Sequence, residues 1–142
     1  MECRFSTNWF FENPVFIAFW FKSRVGISVS ETSRDISFCA HAILGDGLLI
    51  VPDATKDKRF KNNPLVTGSQ KIRFYAGAPL VTSEGHALGT LCVLDSKPRK
   101  LSPEQAQSLR VLAHHVVSQL ELRRQARALE VYLLDWDGDL LD

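Results

Sequence analysis

Three cysteines, Cys3, Cys39 and Cys92, are the residues of this chain best suited to covalent chemistry. A thiolate is a nucleophile and a metal ligand, and two thiols held together make a redox pair. Cys39 and Cys92 invite a redox switch or a site that reduces methionine sulfoxide. Both stand among apolar neighbours, however, and the cysteine loop that such a reductase needs is not recognisable. A reactive thiol needs an electropositive, partly exposed setting, whereas a buried free cysteine packs as a small hydrophobe. The packing role fits both positions better. His41, His86, His114 and His115 offer metal ligation or proton transfer, but no HxxxH or CxxC set accompanies them, so neither a metal nor a cofactor is assigned. Asp53, Asp57, Arg59 and Arg73 carry charge that can orient a polar ligand, and helix capping and surface ion pairing account for the same residues. Asp135, Asp137, Gly138, Asp139 and Asp142 echo a calcium loop only faintly, because the glycine falls too early; they read as a solvated acidic tail. No glycine-rich phosphate loop, serine nucleophile elbow or paired catalytic carboxylates are present, so the chain is expected not to be an enzyme.

The bulk properties narrow the classes further. A chain of 142 residues, 45% hydrophobic and 23% charged, supports one globular domain with a single core. With 17 basic and 16 acidic side chains the net charge is +1, which supplies no broad field for nucleic acid or anionic lipid. Three cysteines without CxxC spacing suit reduced thiols, so the cytoplasm is expected. The apolar run Pro14 to Phe21 is too short to span a membrane, which takes roughly 20 residues, and lacks the marks of a signal peptide.

The elements that must position these residues follow from local patterns. Val15 to Phe21 is β-branched or aromatic almost throughout and predicts a buried strand. Ser30 to Ser33 offers N-caps for a helix of about three turns over Arg34 to Leu44, closed by Gly45, with Phe38, Ala42 and Ile43 on one side. Leu48 to Val51 predicts a short strand that Pro52 ends, and Asp53 can cap a turn through Thr55 to Arg59. Phe60 to Pro64 reads as a loop anchored by Phe60. Ile72 to Thr82 and Ala87 to Asp95 flank Ser83-Glu-Gly-His86 and predict a hairpin. Alternation places Ile72, Phe74, Ala76, Ala78 and Leu80 on one face, and Leu88, Thr90, Cys92 and Leu94 together on the partner strand. Gly77 and Gly89 leave gaps in that surface, and Pro79 belongs at an edge, a strand end or a bulge. Ser102, Pro103 and Gln105 form a capping-box start for a helix striped by Leu109, Leu112, Ala113, Val116, Val117 and Leu120. Residues 123–142 read as a helical extension and acidic tail, and residues 1–14 as an irregular N-terminus.

In order along the chain, Phe21-Lys-Ser-Arg-Val-Gly26, Ser37-Phe-Cys-Ala-His-Ala-Ile43, Val51-Pro-Asp53, Asp57-Lys-Arg-Phe60, Asn63-Pro-Leu-Val66, Ile72 to Leu80 and Leu88 to Asp95 resemble GAF domains of bacterial sensor kinases and diguanylate cyclases. Leu120-Glu-Leu-Arg-Arg124 is similar to the close of that group. The resemblance implies an α/β (α+β) fold over residues 15–122, with a six-stranded, mostly antiparallel sheet. Helix and loops of residues 34–66 would roof a ligand pocket on one face, and a long C-terminal helix would cover the other. Phe38, Cys39, Asp53, Phe60, Phe74, Ala76 and Cys92 are the pocket residues expected on that frame. It further implies an N-terminal helix and first strand before Phe21. Residues 1–14 show neither pattern, so the inner strand is expected to be missing, with Val15 to Phe19 as a partial substitute.

By the same resemblance the chain is expected to be a sensory module in signal transduction. It would bind an unknown small molecule or form a homodimer through its C-terminal helix, and relay to a kinase or cyclase output domain, without nucleic acid or membrane. The residue set of the cyclic-nucleotide-binding members cannot be assembled, and the Cys-His adjacency of the bilin-binding members is replaced by Cys39-Ala-His41. Two alternatives stand beside this expectation: a thiol-dependent reductase related to GAF-like sulfoxide reductases, and a truncated fragment without independent function.

Overall fold

A computed structural model of the chain describes residues 2–5, 18–26 and 30–138. Their strands form one six-stranded sheet: β1 Glu2–Phe5, β2 Ala18–Ser23, β3 Glu31–Ser33, β4 Leu49–Val51, β5 Phe74–Val81 and β6 Ala87–Asp95. The strand order is β3-β2-β1-β6-β5-β4, and every neighbouring pair is antiparallel. Three helices complete the described fold: α1 Phe38–Ala42, α2 Pro64–Thr67 and α3 Pro103–Gly138.

The hairpin is the longest ladder. It pairs Phe74 with Asp95 through to Leu80 with Gly89, then slips so that Val81 faces Ala87. Its turn closes by hydrogen bonds from Thr82 N to His86 O (2.9 Å) and Gly85 N to Thr82 O (2.9 Å). Gly85 takes the left-handed conformation there, at φ +86°, which favours glycine. Pro79 lies beyond the stretch of β5 that β4 pairs, Tyr75 to Gly77, so its missing N–H leaves that ladder intact. The register slip also moves Leu88. Although the alternation groups it with Cys92, it packs with the cluster on the helix side.

Two other expectations are corrected. The N-terminal residues, read as irregular with the inner strand missing, include β1, which sits between β2 and β6 and pairs with both. Four residues with an irregularity at Glu2/Cys3 are too short to show a period-two signal. The strand expected over Val15 to Phe21 is β2, from Ala18 to Ser23; Val15 to Ile17 lie outside the described residues. The expected three-turn helix is also much shorter. Ser30 to Ser33 do not cap it, because Glu31–Ser33 pair with Ala18, Phe19 and Trp20, and only a 3-10 turn (Arg34–Ile36) precedes α1. Pairing with β2 overrides the local capping preference.

The start of α3 follows the capping box: Ser102 Oγ accepts from Gln105 N (3.2 Å), and Gln105 Oε1 accepts from Ser102 N (2.9 Å). The helix then lays Leu109, Ala113 and Val117 on Phe74, Ala76, Ala78 and Leu80 of β5. Alanines on both sides of this contact allow the helix to approach closely. Past this contact the helix continues through the expected extension to Gly138. Among the described residues no helix is long and apolar enough to cross a membrane.

Leu109 is buried at the centre of this contact. Leu109→Ala is expected to lower unfolding free energy by about 2–5 kcal/mol through lost burial and a residual cavity. Urea denaturation followed by circular dichroism measures it, and a change under about 0.5 kcal/mol would show that α3 does not pack on β5.

Candidate functional site

On the other face of the sheet, Tyr75, Cys92 and Leu94 form the floor of a cleft of about 360 Å³. They face it because the residues between them, Phe74, Ala76 and Val93, lie on the helix side of the same ladder. Phe38 and Cys39 of α1 and Leu65 of α2 close it above, Phe21, Thr32 and Ser37 form one wall, and Gln70, Ile72, Asp95 and Ser96 line the rest with Gly26. Lys71, between Gln70 and Ile72, holds φ +48°. This backbone region is sparsely used outside glycine and costs on the order of 1 kcal/mol or more.

Tyr75 shapes the floor. A Cβ on Gly77 would lie 2.3 Å from the tyrosine oxygen, so the gap at Gly77 is occupied by the Tyr75 ring. The Tyr75 hydroxyl donates to Cys39 Sγ at 3.6 Å, joining floor to roof through a weak acceptor. Aromatic stacking continues the connection: Tyr75 to Phe38 with centroids 5.1 Å apart, then Phe38 to Phe60 at 4.1 Å and 14°. His41 meets the Phe60 edge at 4.8 Å, and the Arg59 guanidinium carbon lies 5.1 Å from the Phe60 centroid.

The roof is held by polar groups outside the cleft. Asp57 accepts from Arg59 N (2.9 Å), Nε (3.0 Å) and a terminal guanidinium nitrogen (2.7 Å). Hydrogen bonding to Arg59 is the main reason its carboxyl titrates below the ordinary value of 3.8. Asp53 accepts from Thr55 N (3.1 Å) and Oγ1 (2.6 Å), the turn-capping role expected for it, and its pKa is lowered chiefly by Thr55. Asn63 accepts from Leu65 N (2.8 Å), capping α2, and donates to Ile36 O (2.8 Å) 27 residues earlier. Arg73 reaches Val66 O (2.8 Å), Ile72 N donates to Leu65 O (2.9 Å) and Ala54 N donates to Arg73 O (2.6 Å), tying the roof to the start of β5.

Of the seven residues expected in a pocket, Phe38, Cys39 and Cys92 line the cleft. Phe60 is fully buried behind Phe38, and Asp53 is in its turn away from the cleft. Phe74 and Ala76 are corrected: they are on the opposite face, under α3. The alternation along β5 is as expected, but the cleft takes the other phase, that of Tyr75. Sequence reasoning missed Tyr75, Ser37, Thr32, Leu65 and Gln70. A large aromatic residue two positions before a strand glycine was the available signal for Tyr75. The turn-and-helix stretch Phe60 to Thr67, read as a loop up to Pro64, carries α2 and the Asn63 cap.

The fold thus defines a mixed α/β domain: one antiparallel sheet with a roofed cleft on one face and a long C-terminal helix on the other. The GAF domain family model matches residues 14–120, and the chain belongs to that family. It is 45% identical over 112 residues to a cyclic di-GMP phosphodiesterase of Pseudomonas aeruginosa, a match covering 78% of this chain and 19% of that protein. The chain therefore spans about a fifth of the curated relative it matches. Among solved structures it is similar to a domain ascribed to a two-component sensor histidine kinase protein of Sinorhizobium meliloti 1021, with a TM-score of 0.59 at 15% identity, covering 80% of this chain and 77% of that one. The chain is also similar to a solved GAF domain, with a TM-score of 0.56 at 14% identity, covering 71% of this chain and 55% of that one.

The Asp57–Arg59 pair gives the roof a pH dependence. Because the folded pKa of Asp57 is lowered, the unfolded chain binds more protons in acid. Its contribution is full above the unfolded value near 3.8 and is lost as pH falls through the folded value. Asp57→Asn is expected to flatten this part of the acid limb of stability while lowering stability at neutral pH. Thermal melts from pH 7 downward measure it, and parallel limbs for the two proteins would contradict the assignment.

Proposed function

We propose that this chain is the regulatory module of a signalling protein, in which a small molecule in the cleft, or pairing with a second copy, biases the position of α3 and so an output domain. The observation that carries this reading is that one hairpin serves both surfaces. Tyr75, Cys92 and Leu94 line the cleft while their chain neighbours Phe74 and Ala76 bear on α3. A shift of the floor therefore reaches the helix without an intermediate element. The likeness to part of a cyclic di-GMP phosphodiesterase supports an output domain of a cyclic-dinucleotide enzyme, with a kinase or cyclase as the other classes. The balanced charge and the reduced, buried Cys39 and Cys92 are consistent with a cytoplasmic setting.

The second copy would meet α3. Leu112, Leu122 and Leu129 are 56%, 56% and 63% exposed. They fall on the three-four spacing 112-115-119-122-126-129, the seam of a two-helix coiled coil. Polar His115 and Gln119 interrupt it, so pairing centres on the projecting half from Leu122 to Leu129.

A thiol-dependent reductase is the second reading, favoured by one observation: Cys39 and Cys92 line the same cleft. No lysine, arginine or histidine joins them among the described lining residues, which leaves a thiolate without the positive neighbour it needs. Turnover of free methionine sulfoxide that is lost in Cys39→Ser or Cys92→Ser would establish this reading over the regulatory one.

On the regulatory reading, sedimentation equilibrium of the chain is expected to show a monomer–dimer equilibrium, shifted at least about tenfold toward monomer by the double substitution Leu122→Arg and Leu129→Arg. Spin labels at Arg127 are expected to change their inter-protomer distance when the cleft is filled. Identical association of the double variant would remove α3 as the dimer surface, and label distances that ignore every cleft ligand would remove the relay.

A further inference from the structure

The polarity of the cleft lining selects its occupant. Three aromatic rings, those of Phe21, Phe38 and Tyr75, line it beside Leu65, Ile72 and Leu94. Ser37 is only 2% exposed and lines the cleft, and although it precedes α1 its hydroxyl makes no capping hydrogen bond. Buried polar groups are nearly always hydrogen-bonded, so a buried hydroxyl that declines its local partner marks the place of another. Thr32, also buried, lines the same wall.

Among the described lining residues charge is nearly absent. The single charged side chain among the described lining residues is Asp95, whose carboxylate accepts from Arg99 Nε and from Lys97 N (3.0 Å). Arg73, next to the cleft, donates to Val66 O and Ile72 O instead. An anion placed in the cleft would lose its hydration without gaining a cation from the described lining residues, a cost of several kcal/mol for a desolvated unpaired charge. The volume of about 360 Å³ lies near the lower end of the roughly 300–1,000 Å³ usual for ligand pockets.

We infer that the cleft takes a small uncharged molecule with a flat unsaturated body set against Phe21, Leu65, Ile72 and Leu94, and one carbonyl, amide or hydroxyl group that bonds to the Ser37 hydroxyl. The inference rests on the ligand-sensing reading above and excludes nucleotides and other phosphate-bearing molecules from this cleft.

Isothermal titration and protein-observed NMR of the 142-residue chain test it with benzamide, phenylurea and toluene against benzoate, cyclic GMP and cyclic di-GMP. The uncharged probes are expected to shift the signals of Ser37, Tyr75 and Cys92. Benzoate is expected to bind at least about 100-fold more weakly than its neutral isostere benzamide. Ser37→Ala is expected to weaken benzamide about three- to tenfold, the worth of one hydrogen bond, while leaving toluene and the melting temperature unchanged. Binding of benzoate or a cyclic nucleotide in the cleft as tightly as benzamide overturns the inference and leaves ligand sensing standing. Equal loss of benzamide and toluene in Ser37→Ala overturns the role given to Ser37. Failure of every probe, charged or not, to shift the cleft signals overturns both the inference and the ligand-sensing reading.

Discussion

The antiparallel ladder between Phe74–Val81 and Ala87–Asp95 constrains everything else in the fold. A strand sends successive side chains to opposite faces, so one register assigns the lining of the cleft and the seat of the helix together. The helix face is built small, with Ala76 and Ala78 beneath Leu109, Ala113 and Val117, which lets α3 lie close. The cleft face is built large and spare: Tyr75 fills the gap over Gly77, and the room beside it stays open. A slip of one residue would exchange the two sets, placing Tyr75 under the helix and alanines in the cleft floor. The bulge near Gly89 comes only after seven paired positions, where it reassigns Leu88 to the helix cluster without disturbing the floor.

The roof meets a different demand. It is short of regular structure, with helices of 5 and 4 residues, so its backbone groups must be satisfied by side chains and turns. Asn63 does this twice, capping α2 through its side-chain oxygen and donating its amide N–H to the carbonyl of Ile36. Asp53 and Asp57 each fold a turn on themselves, and the second also holds Arg59 over Phe60. These aspartates look like site residues in a sequence because they are charged and cluster near aromatics. In space they work as braces whose effect reaches the cleft through Phe60 and Phe38.

That distinction explains what could be read from the sequence. Hairpin, capping box, amphipathic helix and the Leu48 to Val51 strand each rest on contacts within a few residues, and each is found within a residue or two of its expected place. The residues near Ser30 to Ser33 carry an equally clear local capping signal, and it is overridden by pairing with Ala18 to Trp20, which no local pattern reveals. Glu2–Phe5 is legible only through its two neighbours in the sheet. The cleft was half legible: Phe38, Cys39 and Cys92 were placed in it, but the phase of β5 depends on which face α3 covers. Phe74 and Tyr75 are both large and aromatic, so hydrophobicity alone does not choose between them. The alanines at 76 and 78 do choose, since a helix needs small partners to approach a sheet and a ligand cavity does not.

The regulatory reading has a physical requirement that these contacts meet unevenly. A ligand shifts an equilibrium only by its differential affinity for two arrangements, which must therefore lie within a few kcal/mol of each other. The ladder and the α3 seat bury Phe74, Ala76, Ala78, Leu80, Leu109, Ala113 and Val117 and are costly to disturb. Roof and floor, by contrast, meet through small separate contacts, among them the hydroxyl–thiol contact, the Tyr75–Phe38 ring pair and the hydrogen bonds of Arg73, Ile72 and Ala54, each worth about 0.5–1.5 kcal/mol. On the proposed regulatory reading, displacement would start in the roof, and the hairpin would carry what reaches Tyr75 to its other face. On that reading the soft roof would set how readily the cleft admits a molecule, while the stiff ladder would set how faithfully α3 follows.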